Sequence, residues 1–390
     1  MIKENHLNKL VYTALWIWVV AQFMSTSLLA GFHIFIIIPI LFSLKEFSFK
    51  KMSKSQLAFF FFSIACLISV AFNQDIESRG FSPMTKVKYY LIAVLAIMPT
   101  QVAFDKYIDI EKRKKLFKAF LFFATLAGLA GLIALWGGVN PLTFKKACHL
   151  ERNCGMAGMY MNYAHSLGYF MSAMLALLVF RDEVKKYIDL KWIYLVFAFN
   201  LFAFYMTFTR GAWLGFLAAI PFVFIKKNKK LVLSGLLGMI IVGAMSFFFI
   251  PKVHDTFTNR QTSNDERVGS WRAAIKAFEE RPVFGYGLLN FEPHSSELKV
   301  KYNLNNAYFK GHAHNIFLEF LATTGAVGFI LFLLWLIFWF FEMYKRSDLV
   351  GAVMLPVIIS FAISGLTQST FVLADNTFFI TAFYLLSQIK

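Results

Sequence analysis

Apolar residues run through this chain in long stretches parted by short polar segments, with almost no alternation of period two. A helix needs about 20 apolar residues to cross a bilayer, and in lipid the backbone must satisfy its own hydrogen bonds. Runs of suitable length lie near 10–27, 29–44, 56–73, 88–105, 116–137, 157–180, 192–209, 211–225, 231–250, 322–342, 349–366 and 371–388. They predict an all-α, polytopic membrane protein of about twelve transmembrane helices, with residues 1–390 forming a single integral membrane domain. The missing alternation argues against a barrel. No small-residue cleavage site follows the first run and the next begins at once, so the opening stretch is expected to remain as a span.

Composition agrees: 58% hydrophobic and 18% aromatic residues, 48 of them Phe, exclude an ordinary water-soluble core. Charge then sets orientation. With twelve spans, the segments 45–54, 106–118, 181–191, 226–230 and 345–346 share one side with both termini, and that side carries 23 of the 39 Lys and Arg residues. The positive-inside rule makes it cytoplasmic. The net charge of +17 is therefore mostly a topology signal, and nucleic acid is not an expected partner.

The opposite side receives loops at 74–87, 138–156 and 367–370 and the long segment 251–312, a periplasmic loop large enough for folded structure. Within it, Ser263-Asn264-Asp265-Glu266 reads as a capping box opening a helix. Val268, Trp271, Ile275 and Phe278 form an apolar stripe that Pro282 ends, so this amphipathic helix is expected to lie against the membrane body. Cys148 and Cys154 share the 138–156 loop, either as a disulfide that closes it or as two unpaired thiols; Cys66 falls inside a span.

Candidates for chemistry gather on the outer side. Arg210, between two apolar runs with almost no loop, is costly so close to hydrocarbon unless it faces a polar cavity or an anion. The helix starting there adds its free N–H groups. The alternative is an arginine snorkelling to headgroups. Arg267 is placed in the first turn of the capped helix, where a cation is disfavoured unless an anionic ligand, or the neighbours Asp265 and Glu266, compensate. His312-Ala313-His314-Asn315 is followed after nine residues by Gly325-Ala326-Val327-Gly328. His314 suits a general base. On a helix, His312 and His314 would point to nearly opposite sides. Neither forms a metal set with Glu319, so no metal or other cofactor is expected; the interfacial polar contact is the alternative role for both. The glycine pair suits tight packing or a bend at the membrane. Lys145, Lys146, Arg152 and Arg272 are secondary candidates for phosphate or sugar contacts, and surface solvation explains them equally well. Asp75 and Glu77 make a weak divalent-cation pair. Phosphate-loop, dinucleotide and Gly-x-Ser-x-Gly motifs are absent.

Taken together, these residues resemble the bacterial O-antigen ligase and polymerase superfamily. His314-Asn315 with Gly325-x-x-Gly328 is similar to its His-Asn…Gly-x-x-Gly signature after the large periplasmic loop. Thr209-Arg210-Gly211-Ala212-Trp213 resembles its arginine motif between spans, and Asp265-Glu266-Arg267…Trp271…Arg281-Pro282…Gly285-x-Gly287 its loop helix and following turn. The resemblance covers the whole chain. It implies a GT-C-like, metal-independent, inverting glycosyltransferase of the inner membrane, acting in lipopolysaccharide biosynthesis. The implied donor is a glycan on undecaprenyl pyrophosphate. The ligase branch transfers it to lipid A–core; the polymerase branch transfers it to another lipid-linked repeat. Chain length, the compact loop and the His-Ala-His-Asn form favour the ligase. A leaving pyrophosphate needs fixed positive charge, which Arg210 and Arg267 would supply, while His314, assisted by His312, would take the acceptor's proton. The rival from another class is a lipid-linked glycan transporter, which predicts charges near the middle of spans instead of at one face.

Overall fold

Apolar runs that must satisfy their own backbone leave helix as the natural element, and helix is what the chain forms. The computed structural model describes residues 4–24, 48–74, 80–228, 230–258, 261–305, 307–308, 310–372 and 374–389. Among them the first helices are α1 (Glu4–Met24), α2 (Lys54–Ala71), α3 (Met84–Leu95), α4 (Ile97–Tyr107) and α5 (Ile110–Gly137). The middle of the chain gives α6 (Tyr160–Val179), α7 (Arg181–Val184), α8 (Leu190–Tyr205), α9 (Arg210–Lys227) and α10 (Lys230–Phe249). Then come α11 (Pro251–Thr258), α12 (Gln261–Glu280), α13 (Phe291–Lys301), α14 (Ile316–Lys345), α15 (Leu349–Gly365) and α16 (Ala374–Gln388). No strand occurs among the described residues, only an isolated bridge between Val139 and Lys146.

Four described helices, α2, α5, α10 and α14, are long and apolar enough to cross a membrane, and the pair α3–α4, bent by 48°, makes a fifth if taken as one span. The run 29–44 and the pair Asp75 and Glu77 lie outside the described residues. The core is heavily aromatic. Phe59 of α2 stacks on Trp335 of α14 with ring centroids 4.4 Å apart, and Phe371 stacks on Trp335 from the other chain segment at 5.0 Å. Such stacked pairs fix how α2, α14 and the turn before α16 sit together, beyond what area burial alone specifies.

Two glycine motifs far apart in sequence turn out to be one contact. α14 is broken at Gly325, whose φ of 61° and ψ of −165° are outside the helical region. A Cβ there would lie 2.4 Å from the Val283 carbonyl, and one at Gly285 (φ 64°) would lie 2.5 Å from the Thr323 backbone. The backbones meet instead: Tyr286 N donates to Ala322 O at 2.8 Å, Gly287 N to Thr323 O at 2.9 Å, and Ala326 N to Pro282 O at 2.8 Å. The break thus exposes carbonyls and amides of α14 that the turn 282–287 satisfies. This joins the segment carrying α12 to the helix that follows the histidines.

α12 differs from the sequence expectation in three ways. It opens at Gln261, two residues before Ser263, so the capping-box residues lie inside the helix and Arg267 falls in its second turn. Its buried face is made of Ala273, Ala274 and Ala277, with Tyr286, Phe291, Leu298 and Ala322 around them. Small residues permit close approach of helix backbones, so they take the packed face. Val268 and Ile275 of the expected stripe are 38% and 42% exposed, with Trp271 and Phe278 half-buried. The helix does pack against α14. Periodicity finds an apolar face; it does not say whether protein or lipid covers it.

Candidate active site

Several chain segments bring the candidate residues to one cavity. The first is the loop after α5. Cys148 and Cys154 are joined by a disulfide with Cα atoms 6.3 Å apart, which decides the alternative left open by sequence. Asn153 then docks the loop on the end of α8: its main-chain N donates to Met206 O at 2.9 Å and its side chain to Ala203 O at 3.1 Å. The neighbouring Arg152 is thereby buried, its guanidinium 4.4 Å from the centre of the Tyr160 ring.

The second segment is the tight connection from α8 to α9. Phe208 adopts a left-handed backbone (φ 44°), and α9 starts at Arg210. Thr209 does not cap the helix; its hydroxyl donates to Thr207 O at 3.1 Å. The first amides of α9 keep no side-chain cap, which leaves the positive end of the helix beside Arg210. The third segment, α12, lies alongside, and Arg210 Nη2 donates to Asn264 Oδ1 at 3.3 Å.

Arg152, Arg210 and Arg267 line one cavity of about 190 Å³, together with His314, Gln368, Thr367, Tyr160, His165 and Gly211. Glu266 is the one carboxylate among the described residues of that lining. Arg267 is half-buried and forms no ion pair among the described residues, with Asp265 and Glu266 included. Burial, and then the charge of Arg210, pull its guanidinium below its ordinary range. Two like charges held close and half out of water are an unfavourable arrangement that a bound anion relieves. Lys145, Lys146 and Arg272 are exposed and do not line the cavity.

The histidines sit on a turn held by its own network. Gly311 N donates to Ser295 Oγ at 3.1 Å and Ala313 N to the buried Glu319 Oε2 at 2.7 Å. Asn315 caps α14, accepting from Phe317 N at 2.9 Å and Leu318 N at 3.2 Å. His312 and His314 therefore precede the helix. With His314 left-handed (φ 49°), their rings come together at 4.3 Å instead of pointing apart. Strained backbone of this kind persists where surrounding contacts over-determine it. Both rings meet Gln368 Oε1, His314 through Nδ1 at 2.6 Å and His312 through Nε2 at 3.4 Å. The amide oxygen accepts, so His314 Nδ1 carries its proton. Burial, then His312, lowers His314 to about 4, so its ring is neutral near pH 7.

Residues 195–333 match the family described as O-antigen ligase, a stretch that contains Arg210, Arg267, His312, His314 and Gly325. That segment of the chain is similar to the O-antigen ligase family. An uncharacterised protein of Haemophilus influenzae is similar as well, 24% identical over 329 residues that span 78% of this chain and 77% of that one. The family segment excludes Arg152, Tyr160, His165 and Gln368, which reach the cavity from α6, the loop before it and the turn after α15. Sequence reading passed over Tyr160, His165, Thr367 and Gln368. A histidine inside an apolar run is itself an indication of function; a lone Gln in a four-residue loop offers none. No group of three or more His, Cys, Asp or Glu residues suited to a metal occurs among the described residues.

Proposed function

We propose that this chain is an O-antigen ligase: a metal-independent, inverting glycosyltransferase that moves a glycan from undecaprenyl pyrophosphate to a hydroxyl of lipid A–core. The observation that carries this reading is the cavity in which three guanidiniums and one carboxylate surround a neutral histidine. In the reaction the acceptor oxygen bonds to the anomeric carbon as the bond from that carbon to the pyrophosphate oxygen breaks. Negative charge grows on the leaving group, where Arg210 and Arg267 offer forked donors and Arg152 a third cation. His314 takes the acceptor's proton, while Gln368 and His312 hold its ring. A ring held near 4 is a weak base at rest. The Arg267 cation contributes to that low value, so an anion seated on Arg267 raises the proton affinity of His314 at the moment it is needed.

The same reading sets the chain in the bacterial inner membrane with about twelve spans and both termini cytoplasmic. Segment 251–312 would then form the periplasmic loop, and the cavity would open at the periplasmic face, where lipid-linked donor and lipid-anchored acceptor both arrive. The test uses purified protein in lipid nanodiscs with undecaprenyl-pyrophosphate glycan, offering lipid A–core or a second lipid-linked repeat separately, with and without chelator. Product on lipid A–core that survives chelator is the expected result. Lengthening of the lipid-linked glycan would make the chain a polymerase, loss in chelator would replace the arginine mechanism, and no transfer at all would favour transport.

A further inference from the structure

His165 lines the cavity yet has no part in the transfer just described. It lies on the second turn of α6 and is 2% exposed. Its Nδ1 is 2.8 Å from the Met161 carbonyl oxygen. A carbonyl only accepts, so Nδ1 holds the ring proton and Nε2 of the neutral ring is left as an acceptor. That Nε2 is buried and has no hydrogen-bond partner in the protein. A buried acceptor without a partner is unfavourable, and such groups in native proteins usually serve a ligand or a water.

His165 shares this cavity with Arg210, Arg267 and His314. At Gly211, in the same lining, an added Cβ would lie 1.9 Å from Thr367 Oγ1 and 3.6 Å from His165 Nε2, so glycine is what lets Thr367 pack closely against the start of α9 beside His165. A cavity ligand that satisfies Nε2 must donate a hydrogen bond. Ionised phosphate oxygens cannot, and their lone pairs would repel Nε2. A hydroxyl beside the phosphates can. We propose that His165 Nε2 accepts a hydrogen bond from a hydroxyl of the sugar directly attached to the pyrophosphate, which makes it a recognition residue for the first donor sugar. The proposal rests on the reading of the arginine cavity as a pyrophosphate site.

Two probes separate the claims: a short polyprenyl pyrophosphate, and the same lipid bearing one N-acetylglucosamine. Affinity for each is measured by calorimetry on the full chain in nanodiscs. His165→Leu is expected to weaken the sugar-bearing lipid roughly three- to tenfold, the loss of one neutral hydrogen bond, and to leave the bare lipid unchanged, which also reports correct folding. His165→Gln, whose amide oxygen reaches towards the Nε2 position, restores affinity to within about twofold. Equal weakening of both lipids, or of neither, overturns the assignment of His165 alone. A change confined to KM for the acceptor moves the hydroxyl to the acceptor and likewise overturns it. If Arg267→Ala leaves affinity for the bare lipid intact, the pyrophosphate reading fails and this proposal with it.

Discussion

Arg267→Ala is expected to separate activity from stability. The side chain is half-buried, has no ion pair among the described residues, and carries a like charge close to that of Arg210. Removing it ends a desolvation cost and a repulsion, so the folded state should lose nothing and gain up to about 1 kcal/mol. That corresponds to an unfolding midpoint unchanged or raised by about a degree or two. Transfer should suffer instead. A hydrogen bond to a charged group contributes about 1.5–3 kcal/mol, and a guanidinium on a phosphate makes two in a fixed fork. A loss of about 3–4 kcal/mol of transition-state stabilisation follows, or about 10²–10³-fold in kcat/KM. Arg267→Lys keeps the charge without the fork and should fall between. The assay pairs initial transfer rates in nanodiscs with unfolding followed by tryptophan fluorescence. A variant that unfolds several degrees early while kcat/KM stays within twofold of wild type would refute the reasoning and make Arg267 a structural cation.

Three other outcomes follow from the site and the fold. Because His314 is held at about 4 and must be neutral to accept a proton, kcat/KM should stay level on acidification through pH 6.5 and drop only towards pH 4; a limb near 6.5 in the pH profile would remove His314 from the role of base. Gln368→Ala frees both imidazoles and should lower kcat about tenfold with KM for the donor little changed, whereas an equal rise in KM would make Gln368 a binding residue. Gly325→Ala forces a side chain into a left-handed position 2.4 Å from the Val283 carbonyl. It should destabilise by about 3 kcal/mol or more, while Gly238→Ala on α10, where an added Cβ meets nothing within 4 Å, should be neutral or stabilising in the same thermal unfolding series.

Much of this molecule was legible in one dimension. Span-length apolar runs dictate helices because lipid offers the backbone no other partner, and the described helices fall where the runs lie, the run 29–44 being outside the described residues. Arg210 and Arg267 stood out because each sits where a cation is unfavourable on its own, and His314 because little else nearby titrates near neutrality. What sequence periodicity misjudged was direction. It read Val268, Trp271, Ile275 and Phe278 as one apolar stripe of α12, of which Val268 and Ile275 are exposed while alanines are buried; apolar residues facing outward look the same in a hydrophobic pattern. It set His312 and His314 on opposite sides for a helix and left an extended segment open; the turn before the helix is what brings the rings together.

Tertiary structure decided everything that depends on two distant segments meeting. The contact between Gly325 and the 282–287 turn spans some forty residues of chain and is made by backbone groups, so no side-chain pattern announces it. Arg152 enters the cavity only because Asn153 docks its loop on α8. Gln368, in a short turn with no motif, reaches both imidazoles from 54 and 56 residues away. Hydrophobicity and charge are properties of single residues and survive in a sequence; the cavity is a property of the spaces between them, which only the packed chain defines.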